Sequence, residues 1–240
     1  MLTRRDLVKN IILSGIAARN VPDWVPLEEN FTFLFQGDSI TDGNRSRNLD
    51  WNHVLGHGYA YLIASRLWCD HPSKRFHFFN RGISGNKVTD LAARWQADTL
   101  DIKPQLLSIL VGVNDVNSMF THENPVTADS FREVYAGLLT RTREQLPDIR
   151  IVLCEPFLLP VGRVKDQWGA WSTEMKVRQA IVRELASQFN AIFVPLQDEF
   201  NKACEKSPPD YWIWDGIHPM PGGHELIARK WIEVVWRRIR

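Results

Sequence analysis

Five short apolar segments are spaced along the chain, and segments with helical periodicity lie between them. The short segments are continuous apolar runs rather than alternating ones, which is typical of strands covered on both faces. Strands that alternate with helices in this way predict parallel pairing through crossover helices. The predicted strands are Phe31–Phe35, Phe76–Phe79, Leu106–Val111, Ile149–Cys154 and Ala191–Val194.

The helical segments show apolar residues at every third or fourth position. One runs from Ala60 to Trp68, and a longer one runs from Phe131 to Leu146 and ends before Pro147. Two more extend from Trp171 to Phe189 and from Ile227 to Val235. This alternation predicts a doubly wound α/β fold.

Three long irregular segments each follow a predicted strand: Thr41–Gly58, Asn114–Thr127 and Pro156–Gly169. In an open α/β sheet, the loops at the carboxyl ends of the strands form the ligand crevice. Because no internal repeat or Pro/Gly-rich linker divides the chain, we expect a single domain over residues 26–240.

Residues 1–25 form a separate N-terminal extension in this pattern. Paired Arg4 and Arg5 precede Lys9 and the short apolar stretch Ile11–Ala18, an arrangement that resembles a twin-arginine export signal. A basic and then apolar surface helix, docked on the domain, is the alternative. The first interpretation predicts an exported or periplasmic protein, and the second is compatible with a cytoplasmic one.

Composition excludes several classes of function. The formal net charge of the 240-residue chain is +1, so no global field attracts nucleic acid or an acidic membrane surface. No apolar run approaches the roughly 20 residues of a membrane span. Oligomeric state leaves no signal in the sequence. The three cysteines form no C-x-x-C pair, so neither a zinc site nor a dithiol redox pair is indicated: Cys69, Cys154 and Cys204.

Four segments with glycine and polar residues carry the candidate chemistry. Three follow predicted strands: GDSITDG at 37–43, NRGISGN at 80–86 and VGVNDV at 111–116. The fourth, WDGIHPMPGG at 214–223, precedes the last helix. Each segment alone is compatible with a turn or a helix cap.

Together, these segments meet the requirements of a nucleophilic serine. Such a serine needs a base within hydrogen-bond reach, and the base needs an orienting group. Asp215 and His218 lie three residues apart, so the carboxylate can reach one imidazole nitrogen while the other faces Ser39. The backbone N–H groups of Ser39 and Gly85 and the side-chain amide of Asn114 are candidate donors for an oxyanion.

The four segments, in this order, resemble the SGNH/GDSL hydrolase family, which is named after a serine, a glycine, an asparagine and a histidine. By motif, Ser39 matches the serine, Gly85 the last glycine of N-x-G-x-S-G, and Asn114 the asparagine of G-x-N-D; Asp215 and His218 match D-x-x-H. The resemblance covers most of the chain. It implies a three-layer α/β/α, flavodoxin-like sandwich with a five-stranded parallel sheet. It also implies hydrolysis of carboxylic esters through an acyl-enzyme, without a metal or another cofactor.

Neighbouring polar residues are interpreted structurally. Asp38 and Asp115 are expected to hold local turns by accepting hydrogen bonds from backbone N–H groups. His53, His57 and His224 lie near the site segments, but no ligand spacing links them to a carboxylate. We expect these histidines to lie at the surface or at helix termini.

Tryptophan is abundant, with ten in the chain, and three of them lie in segments expected to line the crevice: Trp51, Trp212 and Trp214. Tryptophan faces stack on sugar rings, and they also enclose apolar acyl chains. By analogy with relatives of this layout that deacetylate sugars, we expect a carbohydrate O-acetylesterase that acts on a small-molecule or glycan ester.

Other functions remain open at this point. A short-chain lipase, a lysophospholipase and a thioesterase use the same chemistry, and a non-catalytic carbohydrate-binding module could use the same scaffold. A nucleotide- or flavin-binding protein is disfavoured, because the first strand–helix loop lacks the G-x-G-x-x-G and P-loop patterns.

Overall fold

The computed structural model of the protein describes residues 27–48, 52–122 and 124–239. The described strands form one parallel sheet, and we number them in chain order: β1 Thr32–Gly37, β2 His77–Asn80, β3 Leu106–Leu110, β4 Arg150–Cys154 and β5 Ile192–Val194. Their spatial order, β2-β1-β3-β4-β5, is that of flavodoxin-like sheets. The predicted parallel α/β sheet is confirmed.

Helices connect the strands and cover both faces of the sheet. In the described residues they are α1 Ser39–Asp42, α2 Tyr59–Asp70, α3 Val88–Trp95, α4 Val113–Thr121, α5 Ala128–Gln145, α6 Trp168–Gln188, α7 Gln197–Cys204, α8 Pro209–Trp212, α9 Pro221–Trp231 and α10 Arg237–Ile239. Short 3₁₀ helices span Pro72–Lys74 and Gly162–Gln167, and π-helical turns span Gln96–Leu100 and Ile232–Trp236.

Helix α4 corrects one prediction, since the segment Asn114–Thr127 was expected to be irregular. The segment is rich in asparagine and β-branched residues, which are weak helix formers. The helix forms because Val113 and Val116 are buried in the core, and Ser118 Oγ donates to the carbonyl oxygen of Asp115. Tertiary packing therefore overrides local propensity.

Two apolar clusters lie on opposite faces of the sheet. Each cluster packs the sheet against the helices on that face, so the fold has three layers. Alternate side chains of β1 point to opposite faces, so Phe33 and Phe35 join one cluster and Leu34 joins the other. The first cluster includes Trp231 of α9, and the second includes Trp95 of α3. All five side chains are fully buried, as expected for a sheet covered on both faces.

Two predictions fall on parts of the chain outside the described residues. These are the export-signal-like segment at residues 1–25 and the crevice position of Trp51. Within the described ranges, no helix combines the length and the apolar character that crossing a membrane requires.

Candidate active site

Ser39 is the first residue of α1, and only Asp38 separates it from the end of β1. Gly37 allows this sharp turn, since a Cβ on it would come within 2.2 Å of the carbonyl oxygen of Leu110 on the neighbouring strand. Asp38 caps the helix through Oδ1, which accepts from the backbone N–H of Ile40 at 3.0 Å. The predicted turn-holding role of Asp38 is confirmed, and the turn presents Ser39 at the carboxyl end of the sheet.

A chain of hydrogen bonds runs from Ser39 to Asp215. Ser39 Oγ lies 2.8 Å from His218 Nε2, and His218 Nδ1 lies 2.8 Å from Asp215 Oδ2. Ser39 and His218 are 179 residues apart in sequence, so only the fold brings them together. The arrangement supplies a hydroxyl, a base in contact with it, and a carboxylate that orients the base.

The carboxyl group of Asp215 is buried, yet it accepts many hydrogen bonds. Oδ1 accepts from the backbone N–H groups of His218 at 2.7 Å and Ile217 at 3.0 Å. Burial raises the pKa of Asp215, but the hydrogen bonds from the His218 side chain and from these two N–H groups outweigh it and hold the pKa well below its ordinary value. The group is therefore an anion at neutral pH.

Arg163 also binds Asp215, and the sequence analysis did not identify it. Its Nη2 donates to Asp215 Oδ2 at 2.6 Å, and its backbone N–H donates to the carbonyl oxygen of Asp215 at 3.1 Å. The two residues are 52 positions apart, and no motif links them. The only sequence signal was the position of Arg163 in the segment Pro156–Gly169, which follows a strand.

Besides Ser39, the candidate oxyanion donors lie on the loop between β2 and α3 and at the start of α4. Gly85 has a φ of +85°, and an added Cβ on it would meet nothing within 4 Å, so its backbone borders open space. Asn114 lies in the first turn of α4, and its Nδ2 donates to the carbonyl oxygen of Asn86 at 3.1 Å. The structure thus brings Asn114 against the residue that follows Gly85.

Asp38 and Asp115 are buried carboxyl groups with few partners. Asp115 Oδ1 accepts from the backbone N–H of Val88, the first residue of α3, at 3.0 Å. Asp115 therefore binds a backbone N–H as expected, but of a residue 27 positions away rather than of its own turn. Oδ2 of each aspartate has no hydrogen-bond partner among the described residues. Burial, opposed by hydrogen bonds from backbone N–H groups, raises the pKa of each to about 7. For Asp38, the nearby Asp115 adds to the increase.

The two described tryptophans of the crevice prediction differ in their surroundings. Trp214 is 58% exposed, and its ring lies nearly parallel to that of His218, with the centroids 6.3 Å apart. Trp212 is half-buried against the core, and its Nε1 donates to the carbonyl oxygens of Ala203 and Ser207. Trp214 is therefore the one of these two with an open face beside the base.

The histidines near the site also separate. His53 and His57 are exposed, but His224 is buried, so a surface position is wrong for it. His224 lies at a helix terminus, as the alternative expectation held: its Nδ1 accepts from the backbone N–H of Tyr59, the first residue of α2, at 3.2 Å. Burial, together with the nearby His57 and His218, lowers the pKa of His224 to about 4. Across residues 27–48, 52–122 and 124–239, no group of three or more His, Cys, Asp or Glu side chains is arranged to hold a metal ion.

Comparison with known proteins places the chain among ester hydrolases. The model of the GDSL-like Lipase/Acylhydrolase family matches residues 35–226, which include all the site residues named above from Asp38 to His224. An acetylxylan esterase from Geobacillus stearothermophilus is 32% identical over 222 residues, which are 86% of this chain and 96% of that protein.

Solved structures agree with this comparison. An acetylxylan esterase structure from Geobacillus stearothermophilus is 31% identical and covers 90% of this chain and 99% of its own, with a TM-score of 0.78. A structure of a GDSL-like, lipase-type protein from Parabacteroides merdae is 39% identical and covers 88% of this chain and 98% of its own, with a TM-score of 0.84.

Proposed function

The chain belongs to the GDSL-like lipase/acylhydrolase family and is a carboxylic ester hydrolase, and we propose that it removes acetyl groups from carbohydrates through an acyl-enzyme on Ser39. The observation that carries the mechanism is the hydrogen-bonded chain from Ser39 through His218 to Asp215. The observations that favour a sugar substrate are the open face of Trp214 and the similarity to acetylxylan esterases.

The first half of the reaction forms the acyl-enzyme. His218 Nε2 takes the proton of Ser39 Oγ as the oxygen attacks the ester carbonyl carbon. Asp215, which is anionic at neutral pH, stabilises the imidazolium that forms and holds its tautomer. When the tetrahedral intermediate collapses, the bond to the sugar oxygen breaks. The leaving alkoxide takes the proton from His218, and the acetyl group stays on Ser39.

The second half releases acetate. His218 takes a proton from water, which attacks the acetyl carbonyl carbon, and then returns a proton to Ser39 Oγ. In both halves the negative oxygen accepts hydrogen bonds from the backbone N–H groups of Ser39 and Gly85 and from Asn114. One N–H of the Asn114 amide is used by the carbonyl oxygen of Asn86, which leaves the other for substrate.

The sugar is proposed to stack on Trp214. The Trp214 ring lies beside the imidazole of His218. A sugar stacked on the exposed part of the Trp214 ring would therefore have its acetylated oxygen near the base. Stacking adds binding energy for the sugar ring of a glycan ester, and an aryl acetate has no sugar ring. The two substrate classes should therefore depend differently on Trp214.

The test is hydrolysis of 4-nitrophenyl acetate, 4-nitrophenyl octanoate and acetylated xylo-oligosaccharides. We expect Ser39→Ala to lose turnover on every ester, while its thermal unfolding stays close to that of the parent protein. Ser187→Ala, an exposed serine in the last turn of α6, is the control and should keep full activity. Full turnover by Ser39→Ala would exclude the acyl-enzyme assignment.

The substrate class is tested separately with Trp214→Ala. We expect its KM to rise about tenfold for the acetylated oligosaccharide, a change of about 1.4 kcal/mol, and to change little for 4-nitrophenyl acetate. Equal changes for both substrates, or a preference for the octanoate, would exclude a stacked sugar and leave the acyl-enzyme chemistry intact.

A further inference from the structure

Arg94 lies in the last turn of α3, and its side chain is only 15% exposed. The guanidinium group uses all three nitrogens as donors. Nε donates to Asn86 Oδ1 at 2.8 Å, Nη1 donates to Gln36 Oε1 at 2.9 Å, to Arg81 O at 2.8 Å and to Asp98 Oδ2 at 3.0 Å, and Nη2 donates to Gly37 O at 3.3 Å.

One side of this hydrogen-bond network is the strand that leads to the nucleophile. Gln36 and Gly37 are the last two residues of β1, and only Asp38 separates them from Ser39. Gln36 is itself fully buried, and its amide donates to the carbonyl oxygen of Asp98 at 2.8 Å. Arg94 is therefore attached to a buried, hydrogen-bonded part of the sheet.

The other side is the loop between β2 and α3, which carries Gly85. Arg94 binds this loop at the carbonyl oxygen of Arg81 and at the side-chain oxygen of Asn86. The backbone oxygen of Asn86 accepts from the amide of Asn114 at 3.1 Å. Asn86 is thus held at two oxygen atoms, one by Arg94 and one by a candidate oxyanion donor.

We propose that Arg94 is a positioning residue for the oxyanion hole. Arg94 fixes the loop that carries Gly85 relative to the end of β1, which leads to Ser39. Through Asn86 it also fixes the side-chain amide of Asn114. This inference rests on the proposed function, since it concerns the donors of that reaction. A planar guanidinium suits this role, because its N–H donors have fixed directions and reach acceptors on β1 and on the loop between β2 and α3 at the same time.

Loss of Arg94 should weaken binding of the transition state and leave binding of the substrate nearly unchanged. Donors to an oxyanion act only when they are placed within about 0.5 Å, and a displacement of about 1 Å can lower turnover about 10²-fold. The full negative charge on the oxygen exists only after the nucleophile attacks. A displaced donor therefore lowers kcat, while KM changes little.

The test compares Arg94→Met with Arg143→Met. Arg143 is matched because its half-buried guanidinium also donates to three backbone oxygens, at Ile149, Phe189 and Asn190, next to the amino ends of β4 and β5. With 4-nitrophenyl acetate, we expect kcat of Arg94→Met to fall about 10- to 100-fold with KM within about twofold. Arg143→Met should keep kcat. Equal kcat losses in the two variants, at equal losses of thermal stability, would overturn the proposal.

Two further variants keep the test informative if Arg94→Met folds poorly. Arg94→Lys retains the positive charge but lacks the planar set of N–H donors of a guanidinium group, so kcat should still fall about tenfold. The double variant Arg94→Met with Asn114→Ala should lose less than the product of the two single losses, because Arg94 then has one donor fewer to position. Parent-like turnover in Arg94→Lys, or a fully multiplicative double variant, would overturn the proposal.

Ser39→Ala separates this proposal from the proposed function. If Ser39→Ala is inactive and Arg94→Met behaves like Arg143→Met, the positioning role is wrong and the acyl-enzyme assignment stands. If Ser39→Ala remains active, the proposed function itself is wrong, and the Arg94 proposal is overturned with it.

Discussion

A buried aspartate lies on each side of the candidate active site: Asp215 beside the base His218 (the base flank) and Asp115 beside the proposed donor Asn114 (the donor flank). The pKa values of these two carboxyl groups shift in opposite directions. Asp215 is 4% exposed and accepts four side-chain and backbone hydrogen bonds, which hold its pKa well below the ordinary range. Asp115, next to Asn114, is fully buried; its Oδ1 accepts from the backbone N–H of Val88, and its Oδ2 has no hydrogen-bond partner among the described residues. Its pKa is raised to about 7, with burial as the largest cause.

This difference shows that burial alone does not determine the charge of a carboxyl group. Burial favours the neutral form of a carboxyl group, and each hydrogen bond that the carboxylate accepts favours the anion. In the proposed mechanism the base flank needs an anion, because Asp215 stabilises the imidazolium of His218. Asp115 is next in sequence to Asn114, a proposed donor to the oxygen that becomes negative, and its raised pKa increases the neutral fraction of its carboxyl group, which reduces repulsion there.

The largest expected effect is on the base flank. In Asp215→Asn the carboxylate is replaced by a neutral amide, which can hold His218 in the wrong tautomer and cannot stabilise its cation. We expect kcat for 4-nitrophenyl acetate to fall about 10⁴-fold. Asp210→Asn, an exposed carboxyl group on α8, is the control and should keep kcat. A loss below tenfold in Asp215→Asn would mean that Asp215 does not orient the base.

A smaller loss is expected on the donor flank. Asn114→Ala removes one of three proposed donors, so kcat should fall about 10²–10³-fold with little change in KM. Asn117→Ala, three residues further along α4, is the matched control and should keep kcat. If KM rises and kcat is unchanged, Asn114 binds the ground state rather than the oxyanion.

The smallest expected effect is on stability and concerns Asp115. Its pKa is higher in the folded protein than the ordinary unfolded value, so the unfolded state binds fewer protons between about pH 4 and 7. Stability should therefore fall as pH rises through this window and level off above about pH 7. Asp115→Asn removes this loss and keeps an oxygen for Val88.

The measurement is thermal unfolding of Asp115→Asn and the parent protein from pH 4 to 8. We expect the Tm difference to grow in favour of the variant by roughly 5–10 °C, equivalent to about 3 kcal/mol. Asp129→Asn, an exposed carboxyl group in the first turn of α5, should show no such trend. A pH-independent difference for Asp115→Asn would mean that Asp115 is ionised across the whole range.

Much of the fold could be predicted because its apolar pattern repeats locally. The first strand was predicted at Phe31–Phe35 and occupies Thr32–Gly37, and the last was predicted at Ala191–Val194 and occupies Ile192–Val194. Helix α4 was missed because its residues are weak helix formers and only burial in the core stabilises it. Local pattern is informative where propensity and packing agree, and it fails where packing acts alone.

The same division applies to the site. The sequence by itself determined the residue types of the proposed chemistry and the local spacing of Asp215 and His218, because a loop of four residues brings that pair together. The tertiary structure decided the rest. Arg163 contacts Asp215 from 52 positions away, and Arg94 contacts Gly37 from 57 positions away. Trp214 rather than Trp212 keeps an open face, and the pKa values of the two buried aspartates shift in opposite directions. Each of these depends on which donors, rings and solvent surround a group, and that is defined only after distant segments pack together.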